Sequence, residues 1–262
     1  SSAASDVYKR QSILTREGVM LYLLRGVAFT CIISVLGVIM GLIVGSLLAL
    51  ARTYCKKGPT RILGWFATAY IELFRNTPYL LWIFVCVVFC PCPAFFARKM
   101  FGLTSVEMKL LFKAALALIL FNSSVIAEIV RGGIISIDRG QFEGAMSIGM
   151  THAQTMFKVI IPQVMRNILP SVSNEFVINI KDTSVLNVIG VTELYYFAGI
   201  IKRQNFQTFQ TYFVICILYF ILTFTITRLL RWVERKLDGN ENYTIFGSQT
   251  DVNAEIHITK EG

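Results

Sequence analysis

The sequence predicts an all-α integral membrane protein with five transmembrane helices and a pair of short cytoplasmic helices between the third and fourth. Three observations carry this. The chain of 262 residues is 55% hydrophobic and only 16% charged, whereas soluble domains carry about 25% charge. Its mean hydropathy is +0.60. Apolar runs long enough for a hydrocarbon core of about 30 Å recur along it. The formal charge of +9 sits at the ends of those runs and not along one polar face. Such cations anchor helices to headgroups and set topology; no nucleic-acid partner is implied.

Residues 1–11 (SSAASDVYKRQ) show no hydrophobic period and resemble translated adapter sequence, so they are set aside as a non-native leader. The membrane unit is expected over 12–239, with Ser12 to Arg25 as a short amphipathic approach. Gly26 to Ala51 is uncharged and long enough to cross. Its Gly37, Gly41 and Gly45 repeat every fourth residue, which permits close helix packing. Arg52, Lys56, Lys57 and Arg61 then crowd one short loop and mark it as cytoplasmic.

Ile62 to Ala97 is the second crossing, with a local break expected at Pro78, which lacks the N–H of a continuing helix. The third runs from about Lys109 to Arg131, the fourth from about Ile168 to Phe197, and the fifth from Phe206 to Thr227. The fifth ends in Arg228, Arg231, Arg235 and Lys236, a second inside signal. Five crossings place the N-terminus outside and the tail inside. Residues 240–262 are polar and without strong period, and are expected to be a flexible cytoplasmic tail.

Gln141 to Pro162 is too polar and too short to span. Phe142, Ala145, Met146 and Gly149 fall on one side of a first short helix. Thr151 and Gln154 have the form of a capping box for a second, whose apolar side holds Ala153, Met156, Phe157 and Ile160 and which Pro162 is expected to end. Such a segment lies on a membrane surface or docks into a partner's groove.

Charges at membrane depth are costly unless they pair or line a wet cavity, so each is a functional candidate. Three clusters qualify: Glu72, Arg75 and Thr77 beside Pro78; Asn122 to Glu128; and Lys181, Asp182 and Thr183. A broken helix beside a cavity suits a zwitterionic solute. Arg75 or Lys181 would meet its carboxylate, and Glu72, Glu128 or Asp182 its ammonium. Internal ion pairs that fix helix packing are the structural alternative, and the better reading for Glu175, Arg131 and Arg139. No catalytic set can be assembled. No G-x-x-x-x-G-K-[ST] string is present, so no nucleotide site is encoded. Cys90-Pro91-Cys92 lacks the spacer of zinc and redox motifs, and His152 and His257 lie far from it, so no metal is expected.

Glu143-Gly144-Ala145, Gly149, Val159 and Ile161-Pro162 resemble the coupling loop of ATP-binding-cassette (ABC) importer permeases, here 138–162, with Gly144, Val159 and Ile161 as departures. ELFRNTP (72–78), AEIVRGGIISID (127–138), KDTSVL (181–186) and VIGVTEL (188–194) extend the resemblance to permease subunits for polar amino acids, the histidine/glutamine type, over about 26–237. Cys86 to Phe96 departs from the pattern. The resemblance implies a subunit of the bacterial cytoplasmic membrane that moves a polar amino acid. It implies a second permease, the same chain or a homologous one. It also implies a dimer of ABC ATPase subunits gripping Glu143, Gly144, Ala145, Gly149, Ile161 and Pro162, and an extracytoplasmic substrate-binding protein. ATP and Mg would sit on the ATPase, with no cofactor on this chain. The substrate path would pass Glu72, Arg75, Thr77, Asn122, Glu128, Lys181, Asp182 and Thr183. An ion-coupled secondary transporter or channel is the alternative; it predicts an inverted repeat, which the sequence does not display.

Overall fold

The computed structural model describes residues 19–97 and 103–238; the expected leader and tail lie outside them. α1 (Val19–Tyr54) is one unbroken helix of 36 residues. Residues 19–25, expected as a separate approach, are its first turns, because nothing between Val19 and Gly26 breaks a helix. α2 (Arg61–Arg75) and α3 (Tyr79–Phe89) meet at an angle of 111° around Asn76 to Pro78. Pro78 has φ −61° and ψ 133° and opens α3, as a residue that cannot donate to the preceding turn must. α4 (Ser105–Ile135) starts at a capping box in which Thr104 Oγ1 accepts from the Glu107 amide at 3.3 Å and Glu107 Oε2 accepts from the Thr104 amide at 2.8 Å.

α5 (Arg139–Ser147) is capped by Asp138, which accepts from the Gly140 amide at 2.6 Å. A turn follows with Gly149 at φ +85°. α6 (His152–Thr155) carries the Thr151 and Gln154 capping box. Pro162 does not end this helix. The chain stays helical from α6 through a π turn at Met156–Ile160 into α7 (Ile161–Asp182). Proline fits because it occupies the first turn of α7, where a wide π turn shifts the bond that its missing N–H cannot make. A 3-10 segment (Thr183–Ile189) and a bend at Gly190, φ +81°, lead to α8 (Leu194–Asn205). The fourth crossing is therefore not one helix: its two arms meet at 54°. α9 (Thr208–Asp238) closes the described chain.

Contacts between helices fix their directions. A Cβ on Gly37 would strike Leu118, one on Gly41 would lie 3.0 Å from Asn122 Cβ, and one on Gly45 would lie 2.7 Å from the Ser123 carbonyl. Rising numbers match rising numbers, so α1 and α4 run parallel and touch along the glycine stripe. The chain between them must return, and the bent pair α2–α3 carries it back. α7 opposes α4, with Gly133 against Ile168 and Asn122 on Asn179. α9 opposes α7, since Glu193 meets Tyr219 while Pro170 and Val177 share a cleft with Leu230 and Glu234. α1, α4 and α9 are each long and apolar enough to span, and counting each bent pair as one pass gives five. The C-terminal ends of α1, α4 and α9 share one side, and residues 139–160 lie there with them.

At that end Ala49, Ile71, Ile126, Ala127, Val130, Met156, Ile160, Val164 and Ile168 form one buried core. Ile33, Ile83, Leu118, Leu186 and Val191 form a second toward the opposite end. Val19 and Leu23 pack with Leu194, Ala198, Ile201 and Ile215 in a third. Phe209, Ile217, Phe220, Ile221 and Phe224 on α9 remain exposed, as lipid-facing or subunit-facing side chains would.

Candidate functional site

Polar groups inside the bundle gather at two levels. The first is an ionic cluster at the cation-rich end. Glu128, two turns before the end of α4, has a side chain 17% exposed. Its Oε1 pairs with Arg52 of α1 and lies 3.4 Å from Arg75 Nη1 of α2, while its Oε2 accepts from Arg131 Nε at 2.8 Å. Arg52 Nη2 also lies 3.7 Å from Glu72 Oε1. Three guanidinium groups thus surround two carboxylates, and the network ties α1, α2 and α4 together where they converge.

The second level is a polar stripe along α7. Glu175, Asn179 and Asp182 recur at i, i+4 and i+7 and therefore share a face. Asn122 of α4 donates its amide to Asn179 Oδ1 at 2.7 Å, and both residues are buried. Asn179 Nδ2 and the Tyr79 hydroxyl are buried without a partner among the described residues. Asp182 stands close enough for its charge to be felt at Tyr79 and Glu175, and the charge of Lys181 is felt at Asp182 in turn. Nearby, the Tyr70 hydroxyl donates to the Leu120 carbonyl at 2.8 Å and lies 2.8 Å from Ser123 Oγ. Buried polar atoms with open hydrogen-bonding capacity are what a small polar solute can satisfy.

The residues expected on the substrate path divide by place. Glu72, Arg75 and Glu128 belong to the ionic cluster. Asn122 and Asp182 border the stripe. Thr183 is buried and donates to the Ile180 carbonyl at 2.8 Å. Thr77 donates to the Leu73 carbonyl and accepts from Trp82 Nε1, both at 2.6 Å, which ties the break at Pro78. Lys181 is exposed and lines a separate cleft with Ser184, Tyr195, Tyr212 and Tyr219, which Asp182 does not line. Three participants were not foreseen. Arg52 reads as a topology anchor in sequence, and Asn179 is a neutral amide. Glu193, fully buried, caps α8 by accepting from the Tyr195 and Tyr196 amides at 2.7 and 2.6 Å and from the Tyr219 hydroxyl at 3.1 Å. A carboxylate just before a helical run is the signal that would have found it.

The surface segment 139–160 is held from beneath. Ala145, Met156 and Ile160 are buried, and the Tyr54 hydroxyl reaches Met156 Sδ at 3.6 Å. Met146, Ile148 and Phe157 are exposed by 54%, 75% and 72%, so the expected apolar face of each short helix is split between core and solvent. Glu143 is exposed beside Arg139, whose Nε lies 2.9 Å from its Oε1. A Cβ at Gly144 or Gly149 would meet nothing within 4 Å. Ile161 is half-buried and Pro162 exposed. Among the described residues no three His, Cys, Asp or Glu side chains could hold a metal ion.

The family described as binding-protein-dependent transport system inner membrane component matches residues 37–239. The glutamine transport system permease protein GlnP of Escherichia coli (strain K12) is 35% identical over 221 residues, covering 82% of this chain and 92% of that protein. The L-cystine transport system permease protein TcyB of Bacillus subtilis (strain 168) is 34% identical over 214 residues, covering 81% and 85%. A crystal structure of an amino acid ABC transporter with histidines superposes with a TM-score of 0.69 at 32% identity, over 83% of this chain and 94% of that one. The inward-facing MetNI methionine ABC transporter gives a TM-score of 0.64 at 18% identity over 85% and 99%, a likeness of fold alone.

Proposed function

The chain belongs to the family of inner membrane components of binding-protein-dependent transport systems, and from that membership we propose that it is the permease subunit of an ATP-driven importer of a polar amino acid. Its partners would be a dimer of ABC ATPase subunits, which hold the ATP and Mg, a second permease of the same or a homologous sequence, and an extracytoplasmic substrate-binding protein. The cation-rich end of α1 and α9 faces the cytoplasm by the positive-inside rule, which puts the N-terminus outside and the C-terminus inside.

One observation carries the reading. Residues 139–160 expose Met146, Ile148 and Phe157 while burying Met156 and Ile160 in the same core as Ala49, Ile126, Ala127 and Val130. A motor subunit that grips the exposed side would push through the buried side onto α1 and α4. Those helices carry Arg52, Asn122 and Glu128. Packed cores shift between discrete arrangements and do not stretch, so such a push can change which end of the polar stripe is open. Glu175, Asp182 and the free amide of Asn179 offer acceptors and a donor to an ammonium and a side-chain amide. GlnP and TcyB carry glutamine and L-cystine in their names, and a neutral polar amino acid suits the stripe.

Reconstitution with the ATPase and the binding protein tests this. Uptake should require ATP, and Glu143→Lys or Gly149→Trp should abolish it. Substrate-stimulated ATP hydrolysis that survives both changes overturns the coupling role. Uptake that runs without any ATPase and collapses with an uncoupler would mean ion coupling instead.

A further inference from the structure

A cleft of about 460 Å³ opens between the end of α1 and the start of α2, with the end of α4 as its third wall. Four of its ten lining residues are cationic, namely Arg52, Lys56, Arg61 and Arg131, and none is acidic. Gly64 lets the walls close at the back: a Cβ there would strike the Cys55 carbonyl. Arg52 and Arg131 form the deep side and are shared with Glu128. Lys56 and Arg61 stand at the mouth with no ion-pair partner among the described residues, and the buried Thr53 hydroxyl has no hydrogen-bond partner among them either.

The surroundings are apolar. Ile62, Leu63, Trp65 and Phe66 on the first turns of α2 are exposed by 66%, 56%, 65% and 60%, and Leu47 and Tyr54 on α1 by 63% and 45%. Exposed aliphatic side chains belong against acyl chains, and an indole beside them belongs at the headgroup level. A basic hollow ringed by such residues at the end of two membrane helices has the chemistry of a site for a phosphate carried on a lipid. A soluble anion would gain nothing from the apolar rim.

We infer that this cleft binds the phosphodiester headgroup of an anionic phospholipid of the inner leaflet, with its acyl chains along Leu47, Ile62 and Phe66. Because Arg52 and Arg131 serve both the cleft and Glu128, bound lipid draws on the same guanidinium groups that hold α1 and α4 together. This goes beyond the transport reading and rests on it only for the cytoplasmic placement of this end of the bundle.

The full chain, purified in its complex, is incubated with phosphatidylglycerol or phosphatidylcholine and analysed by native mass spectrometry. Phosphatidylglycerol should be retained in preference, and Lys56→Gln with Arg61→Gln should reduce that preference roughly ten- to thirtyfold without loss of assembly. In a variant keeping Trp65 alone (Trp82→Phe and Trp232→Phe), brominated phosphatidylglycerol should quench the indole more than brominated phosphatidylcholine. Equal retention of the two lipids, or an unchanged preference in the double variant, overturns the proposal. Displacement of phosphatidylglycerol by inorganic phosphate would mark a site for free anions and overturns it too. So would a cross-link from Lys56 to the ATPase that persists when phosphatidylglycerol is added.

Discussion

Asn122 on α4 and Asn179 on α7 are joined by one hydrogen bond of 2.7 Å, yet 57 residues separate them. The bond crosses two helices that run in opposite directions, and each residue is at most 2% exposed. Asn179 Nδ2 has no partner among the described residues. The pair is thus both a clasp between helices and an unfilled donor.

As a clasp, the pair should be modest. Hydrogen bonds between membrane helices contribute about 1 kcal/mol, so Asn122→Ala and Asn179→Ala should each destabilise by about 1–2 kcal/mol. The double variant should cost less than their sum, because the second change removes a group the first has already orphaned. Thermal unfolding in detergent measures all three. Strict additivity would show that the two amides are not coupled.

Glu128 answers three arginines, so its loss should reach further than that of any single one. Glu128→Gln keeps the shape, removes the charge and leaves Arg52, Arg75 and Arg131 repelling one another. A cost of about 1–3 kcal/mol is expected, between that of exposed and of buried pairs. Arg75→Ala should cost less than about 1 kcal/mol, since that side chain is 48% exposed and lies 3.4 Å from the carboxylate. In both variants uptake should fall more than co-purification with the partner subunits. Normal uptake with unchanged substrate choice in both would exclude them from the path.

What the sequence discloses depends on whether a residue's role is periodic. Gly37, Gly41 and Gly45 recur every fourth position, and the stripe alone announces close packing. Asp182 and Glu128 stand out as charges within apolar runs. Arg52 does not, since a cation at the end of a run serves topology whether or not it also meets a carboxylate seventy-six residues later. Asn179 lies four residues after Glu175 and three before Asp182, so a search for polar stripes, and not only for charges, would have found it. Pro162 misleads because proline ends a helix or begins one, and only the π turn before it decides which. Lys181 and Asp182 are adjacent in sequence, but 100° of helical rotation sends them to different surroundings.

Two glycines should respond to alanine with opposite sign. At Gly45 the added methyl would lie 2.7 Å from the Ser123 carbonyl and 3.0 Å from the Ala127 nitrogen, both backbone atoms that cannot step aside. Gly45→Ala should destabilise by about 1–3 kcal/mol. At Gly132, also helical, the methyl meets nothing within 4 Å, so Gly132→Ala should stabilise by up to about 1 kcal/mol. Melting temperatures of the two variants, compared in one detergent, decide the matter; a Gly45→Ala variant as stable as the parent would mean that α1 and α4 are not in contact along the stripe.

Gly149 separates conformation from occlusion. Its φ of +85° disfavours any side chain with a branched or bulky Cβ, while the space around it is open. Gly149→Ala should therefore cost about 1 kcal/mol from backbone strain alone, and Gly149→Asn less, because asparagine tolerates the left-handed region. Neither should prevent a partner from binding. Gly149→Trp carries the same strain as alanine but projects a large ring into the open space around that position. If a motor subunit grips this face, the tryptophan variant should lose co-purification of the ATPase while melting close to the alanine variant. Should all three retain the ATPase equally, the partner binds elsewhere, and the exposed apolar face of 146–157 must have another use.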